Sequence, residues 1–269
     1  MTGRARFGLL LAGLIASSSA ALADQPKETV EADVSTRSVS ITSSFTGTEI
    51  LIFGTVENSR QPSPEAGTYD VVVVVEGTPV PQVVRRKSNL FGFWINTRSM
   101  RFASFPSYYA IATTRPIDEI ADHGALDKLE IGFEHVHLVP SGSGTRDGPD
   151  DSQEVAAFRT AVIRLKQRER LYLTAEYGGV TFIGRSLFRS TISLPPNVPV
   201  GPLTTRVYLF KDGQLLSQYK SQVVLERAGV ERFLYDSAYD RPLLYGMATV
   251  LAAAAAGLAA AFAVKRLGY

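Results

Sequence analysis

The sequence predicts a mainly β protein: two immunoglobulin-like β-sandwich modules, a linking amphipathic helix and one C-terminal transmembrane helix. Short β-branched runs recur at turn-punctuated intervals on both sides of residues 141–170, a spacing that suits antiparallel sandwiches better than alternating strands and helices. Between them, Val155, Phe158, Val162 and Leu165 line one face of a helical period,. At the far end, Pro242 to Val264 is uncharged and mostly apolar, and Lys265 and Arg266 follow at once. At 1.5 Å per residue this stretch covers about 34 Å, enough to cross a hydrocarbon core of roughly 30 Å.

The N-terminus carries its own address. Arg4 and Arg6 precede an apolar run from Phe7 to Ala16, and small residues lead to Ala21-Leu22-Ala23. A charged region, a short apolar core and an A-x-A site make a secretory signal peptide over residues 1–23. Cleavage leaves the new N-terminus outside, and Lys265-Arg266 just past the span fit the positive-inside rule. The expected protein is single-pass in the inner (plasma) membrane, with a periplasmic ectodomain and residues 265–269 as a cytoplasmic tail. The alternative reading of 242–264 is a buried, alanine-rich helix of a soluble domain.

Composition narrows the function. Removing Arg4, Arg6, Lys265 and Arg266 from 28 basic residues leaves 24, against 26 acidic ones, so the exported body is near −2. Such a balance gives no support to nucleic-acid binding. The chain has no cysteine, which excludes thiolate metal sites, c-type haem attachment and cysteine nucleophiles. Stability must then come from core burial. No cofactor is expected.

Within the ectodomain, residues 24–140 read as a first β-sandwich. Val30, Ala32 and Val34 alternate with polar residues, as do Val39 and Ile41; Glu49 to Val56 is β-branched, interrupted by Gly54. Five consecutive valines, Val71 to Val75, suit a central strand buried on both faces. Gln82 to Arg86, Phe91 to Asn96 and Tyr108 to Thr113 follow as strands, and Arg115 to Ile120 as a short helix with Pro116 at its first turn,. Ser141 to Asp150 is a loop, after which Asp151 and Glu154 can cap the amphipathic helix,. Residues 171–235 form the second β-rich module. Asp212-Gly213 between two apolar runs is a strong hairpin signal, and Arg206, Tyr208 and Phe210 alternate with Thr205, Val207 and Leu209, marking a sheet whose two faces are used differently,.

Several of these stretches resemble the alphaproteobacterial transmembrane family Alph-Pro-TM. They include Phe45-Thr46-Gly47-Thr48-Glu49, Val83-Val84-Arg85-Arg86-Lys87, Gly92-Phe93-Trp94-Ile95-Asn96, Phe105-Pro106-Ser107-Tyr108-Tyr109, Leu194-Pro195-Pro196-Asn197 and the tail span. The resemblance implies an exported protein with one C-terminal span and carries no catalytic activity. By analogy with a sulfite-exporter-type permease often encoded beside such proteins, it implies an accessory role to an integral-membrane transporter.

Two constellations could carry binding. Arg85 and Lys87 would share one face of a strand, with Arg86 on the other, and Trp94 could stack on a guanidinium; together they could hold an oxyanion or an acidic partner loop. The plainer reading is an edge strand guarded by charge, with Trp94 in the core. His135 and His137 in Glu134-His135-Val136-His137 would share a strand face and could hold a metal ion, joined by His123 if the chain folds back. The plainer reading is a pair of exposed histidines beside a loop. No phosphate loop and no G-x-S-x-G occurs, and the acid pairs Asp118-Glu119 and Asp150-Asp151 sit at helix starts, where acids are expected without catalysis,. The expectation is a binding or accessory protein, not an enzyme.

Overall fold

The computed structural model describes residues 26–136, 140, 149–176 and 178–266. The expected signal peptide at 1–23, His137 and residues 267–269 lie outside the described residues. Among the described residues the strands are β1 (Thr29–Val34), β2 (Ser38–Ile41), β3 (Thr48–Glu57), β4 (Asp70–Gly77), β5 (Pro79–Leu90), β6 (Phe93–Pro106), β7 (Tyr109–Thr113), β8 (Tyr172–Ala175), β9 (Val180–Phe182), β10 (Leu187–Leu194), β11 (Gly201–Lys211) and β12 (Gln214–Arg227). Helices α1 (Ile117–Ile120), α2 (His123–Leu129) and α3 (Pro149–Arg168) lie between β7 and β8; α4 (Val230–Asp240) and α5 (Pro242–Arg266) close the described chain.

One sheet runs β1-β3-β10-β9, the other β2-β12-β11-β4-β7-β8, and β5 pairs with β6 apart from both. Neighbours are antiparallel except β2–β12 and β7–β8. This is the immunoglobulin arrangement: four strands of the ABED type on one sheet, a GFC core on the other, with β7 and β8 where variable-type domains add two more strands. A mainly β fold with one C-terminal apolar helix is as the sequence predicts.

The two modules expected at 24–140 and 171–235 are, however, a single sandwich. β3 pairs with β10 over eight residue positions, Thr48 to Thr55, and β4 pairs with β11 from Asp70 to Gly77. Both sheets therefore draw strands from both sides of residues 141–170, and one continuous core joins them. Local periodicity reports that a strand exists and which face is apolar; it holds no record of the distant strand that will cover that face.

The core follows from alternation. Val30, Ala32 and Val34 of β1, Ile50, Ile52 and Val56 of β3, and Phe188, Ile192 and Leu194 of β10 are all buried, while their neighbours along each strand are more exposed. The valine run of β4 is buried on both faces, as expected. Gly54 stands where β1 and Phe188 close in: a Cβ there would lie 2.5 Å from the Glu31 carbonyl oxygen and 2.5 Å from Phe188 Cζ. Gly54→Ala is expected to destabilise the fold by about 1–3 kcal/mol, measured as a lower urea midpoint.

The helices show how context shifts boundaries. α3 starts at Pro149, which suits the first helical turn, so Asp151 falls inside the helix rather than at its cap,. Phe158 and Val162 are buried as the apolar stripe predicts, but Leu165 is half exposed and Ile163 is half-buried in its place. Arg159 of α3 donates to the carbonyls of Phe133, Glu134 and Val136 and holds that turn against the helix.

One buried carboxylate ties the start of β1 down. Glu28 accepts from the Tyr69 hydroxyl (2.6 Å) and from Lys211 Nζ (3.3 Å), with Arg60 Nε at 3.7 Å. Burial by itself would raise its pKa, but the Tyr69 hydrogen bond and the two cations outweigh it and hold the carboxyl below its ordinary value. The unfolded chain therefore binds the proton more readily than the native one. The contribution is full above the unfolded value of about 4.3 and is lost as pH falls through the lower native value. Urea midpoints of wild type and Glu28→Gln should differ at neutral pH and converge in acid. A gap that stays constant with pH would rule out the ionised carboxylate as its source.

Candidate functional site

The feature that departs most from a plain sandwich is the β5–β6 ribbon. Only Thr78 separates β4 from β5, and only Ser107 and Tyr108 separate β6 from β7. Pairing continues across that junction, with Gly77 N donating to Tyr108 O (2.8 Å) and Ser107 N to Thr78 O (3.2 Å). β4 and β7 therefore run out of the sandwich as a long two-stranded arm. Its basal part is packed: Phe102 and Phe105 are fully buried, and Phe105 stacks on Tyr172 of β8 with ring centroids 5.6 Å apart. Beyond Met100 the arm is exposed almost throughout.

The arm turns at Phe91-Gly92. Both residues have positive φ (50° and 86°), as the two central positions of a type I′ turn require,. Asn89 Oδ1 accepts from Gly92 N (2.9 Å) and pins the bend. The sequence reading of Phe91 to Asn96 as a strand is thus displaced: Phe91 is the turn itself. At this tip Phe91 is 92% exposed, Phe93 73% and Trp94 69%, with Leu90 and Ile95 also open. Trp94 is not in the core, so the plainer reading of that residue fails.

The cations sit directly behind the tip. Arg86 is paired with Arg98 across the ribbon, Arg85 with Ser99 and Lys87 with Asn96. Two arginines directly opposite each other repel. Arg98 is relieved by Glu154 of α3, 2.6 Å away. Among the described residues, none of Arg85, Arg86 and Lys87 has a carboxylate within ion-pair distance. The three residues are exposed, with Val84 half-buried beneath them. Arg85 and Arg86 also edge a groove of about 400 Å³ between the ribbon and α3, floored by Phe158.

The histidines are placed differently from the sequence expectation. His135 lies in a turn rather than a strand, and His137 is outside the described residues. The chain does fold back: the His123 and His135 rings stand 5.7 Å apart, and His135 Nδ1 is 3.6 Å from Asp127 Oδ1. Among the described residues no group of three His, Cys, Asp or Glu side chains is arranged to hold a metal ion.

A second groove escapes the sequence reading. About 500 Å³ in volume, it lies at the C-terminal end of α2 and is lined by Lys128, Arg206, Tyr208, Tyr219 and Lys220, among others. Arg206 donates to Glu76 Oε2 (2.9 Å) and to the Leu129 carbonyl (3.3 Å), while its Nε is buried without a hydrogen-bond partner among the described residues. The alternation of Arg206 and Tyr208 on β11 was its sequence signal, but Lys128 and Lys220 reach it only through the fold. Nearby, Tyr109 donates to Glu130 O and accepts from Gly132 N, each at 3.1 Å. Burial pushes the phenols of Tyr108, Tyr109 and Tyr172 well above their ordinary range, so they act as neutral structural groups.

Beyond β12 and α4 stands the apolar helix. None of the residues of α5 is buried, and it carries Lys265 and Arg266 in its last turn. A free-standing helix of 25 residues spans about 37 Å,, and its exposed apolar side chains need a hydrocarbon surrounding. This is a membrane protein, with one candidate span among the described residues. Among curated proteins, none matches the chain. A family model described as "Putative transmembrane protein (Alph_Pro_TM)" matches residues 29–266, nearly all of the described sandwich, arm and span, and the chain belongs to that family.

Proposed function

We propose that this chain is a non-catalytic accessory protein of the cell envelope. Its immunoglobulin-like domain stands on the periplasmic side of the inner membrane, held by one C-terminal span, and binds an integral-membrane partner. The observation that carries the reading is the direct run of β12 into α4 and the exposed α5, which confines a binding fold to a thin layer above the bilayer. Confinement of this kind raises the effective concentration for membrane partners without any new contact. Lys265 and Arg266 after the apolar stretch support the periplasmic orientation,.

Several of the buried and half-buried charged groups are engaged in holding the fold: Glu28 with Tyr69 and Lys211, Asp70 with Arg115, Glu76 with Arg206. That favours binding over catalysis. The exposed cations Arg164, Arg168 and Arg170 at the end of α3 offer a surface for an acidic partner loop, and family analogy names a transporter of the sulfite-exporter type as the partner class. Crosslinking and co-purification of the tagged chain from native membranes should recover a stable integral-membrane protein; repeated recovery of the chain alone would refute the reading.

A second reading, small-anion binding, is favoured by the groove of Lys128, Arg206 and Lys220. Titration calorimetry with sulfite and sulfate tests it, and Arg206→Met should abolish any heat of binding. No heat with either anion would remove this alternative.

A further inference from the structure

The geometry points to a second membrane contact: the tip of the β5–β6 arm inserts into the interface of an anionic lipid bilayer, beside the span. The inference rests on the membrane tether proposed above and adds a function for the arm.

Strand register sets the direction. Gly77, the last residue of β4, pairs with Leu203 near the start of β11, and Gly201 and Leu203 pair with Leu225 and Val223 near the end of β12. The arm therefore leaves the sandwich at the same end from which β12 runs on toward α4 and the membrane helix. Thr78 Oγ1 donates to the Pro202 carbonyl and fastens the base of the arm there.

Length sets the reach. β5 has 12 residues and β6 has 14, so at roughly 3.3 Å per residue the arm extends about 40 Å. The spacer between sandwich and span, α4, has 11 residues and covers about 16 Å at 1.5 Å each. Even tilted by roughly 60° from the membrane normal, the arm reaches as far as the start of the span.

Chemistry selects lipid as the occupant. The tip presents Leu90, Phe91, Phe93, Trp94 and Ile95 to solvent, a cluster that water disfavours. Trp and other amphipathic or aromatic groups favour the headgroup level, and apolar faces of peripheral elements sink about 5–10 Å into the acyl boundary. Lys87 is four residues behind Phe91, about 13 Å along the strand, followed by Arg86 and Arg85. An insertion of the tip therefore brings these unpaired cations to the level of anionic headgroups, whose negative surface potential attracts them. Arg86, opposite Arg98 in the ribbon, can donate to a phosphate oxygen through its guanidinium while Glu154 holds Arg98,.

Trp94 is the sole tryptophan of the chain, so intrinsic emission reports the tip alone. Full-length protein is reconstituted into phosphatidylcholine vesicles and into vesicles with roughly a quarter phosphatidylglycerol. Flotation reports the span first; a chain that does not float with either vesicle overturns the tether, and this proposal with it. For the floating chain, Trp94 emission should be shifted to the blue, quenched by lipids brominated on the acyl chain, and several-fold less accessible to aqueous iodide. The protection should be greater with phosphatidylglycerol, and Arg85→Ala, Arg86→Ala and Lys87→Ala together should erase that difference. Phe91→Ser with Phe93→Ser, both at exposed positions, should return Trp94 to water with an unchanged far-ultraviolet dichroism spectrum. Trp94 that stays open to iodide in both vesicle types, including the case where it is shielded only in native membranes holding other proteins, overturns lipid insertion while leaving the tether and partner binding standing.

Discussion

Phe188→Ala should destabilise the ectodomain by about 3–5 kcal/mol, and residues 26–136 and 171–227 should unfold in one transition. Phe188 is fully buried in the shared core. It comes from β10, in the second half of the chain, yet its partner across the sheet is Gly54 of β3, in the first half. Its ring meets Phe182 edge-on at 5.9 Å. Truncation removes those contacts and leaves a cavity that the surrounding strands cannot close, because Ala32 and Gly54 are too small to fill it. The size of the loss is a large part of a domain's usual 5–15 kcal/mol. The measurement is denaturant unfolding followed both by far-ultraviolet dichroism and by hydrogen exchange of β1 and β12. Separate transitions for the two halves would restore two modules and contradict the shared core.

Charging the span should free the protein from the membrane. Leu251 and Ala255 lie one helical turn apart near the middle of α5, both exposed. An aspartate at the centre of a membrane helix costs about 2.5–3.5 kcal/mol on insertion scales, so Leu251→Asp with Ala255→Asp should cost roughly 5–7 kcal/mol together. That is enough to reverse insertion of a helix whose apolar residues contribute only tenths of a kcal/mol each. Wild type should resist carbonate extraction and the double variant should wash off. The sandwich itself should be untouched, since none of the α5 residues packs on it. If the variant stays in the pellet, the span is not what holds the chain, and the arm or a partner must do so.

Much of the sandwich was legible residue by residue. Alternation in β1 and the valine run of β4 marked both the strands and their buried faces, the β-branched run at 49–56 marked β3, and Asp212-Gly213 marked a real I′ turn with both residues at positive φ. The arm was legible only in fragments. Val83 to Lys87 and Phe93 to Asn96 look like any strand pair, because an exposed ribbon and an edge strand share the same alternation and the same charges. β8 was missed because Tyr172 to Ala175 is short and owes its place to parallel pairing with β7. Among the site residues, Arg85, Arg86, Lys87 and Trp94 were identifiable as a set, but not that Trp94 faces solvent. Lys128, Arg206 and Lys220 were not identifiable as neighbours, since they come from α2, β11 and β12 and meet only through the packing.

What the linear order of residues settled is everything that depends on near neighbours and on composition: strands against helices, the apolar length of residues 242–264, the missing thiols, the cation cluster behind an aromatic run. These follow from hydrophobic period and charge, which act over a few residues. The folded structure alone decided that two apparent modules are one sandwich, and that the arm and the span leave it at the same end. Strand pairing spans more than a hundred residues here, and a buried face accepts any partner of matching shape and register,. Only the complete set of pairings, satisfied together, selects one.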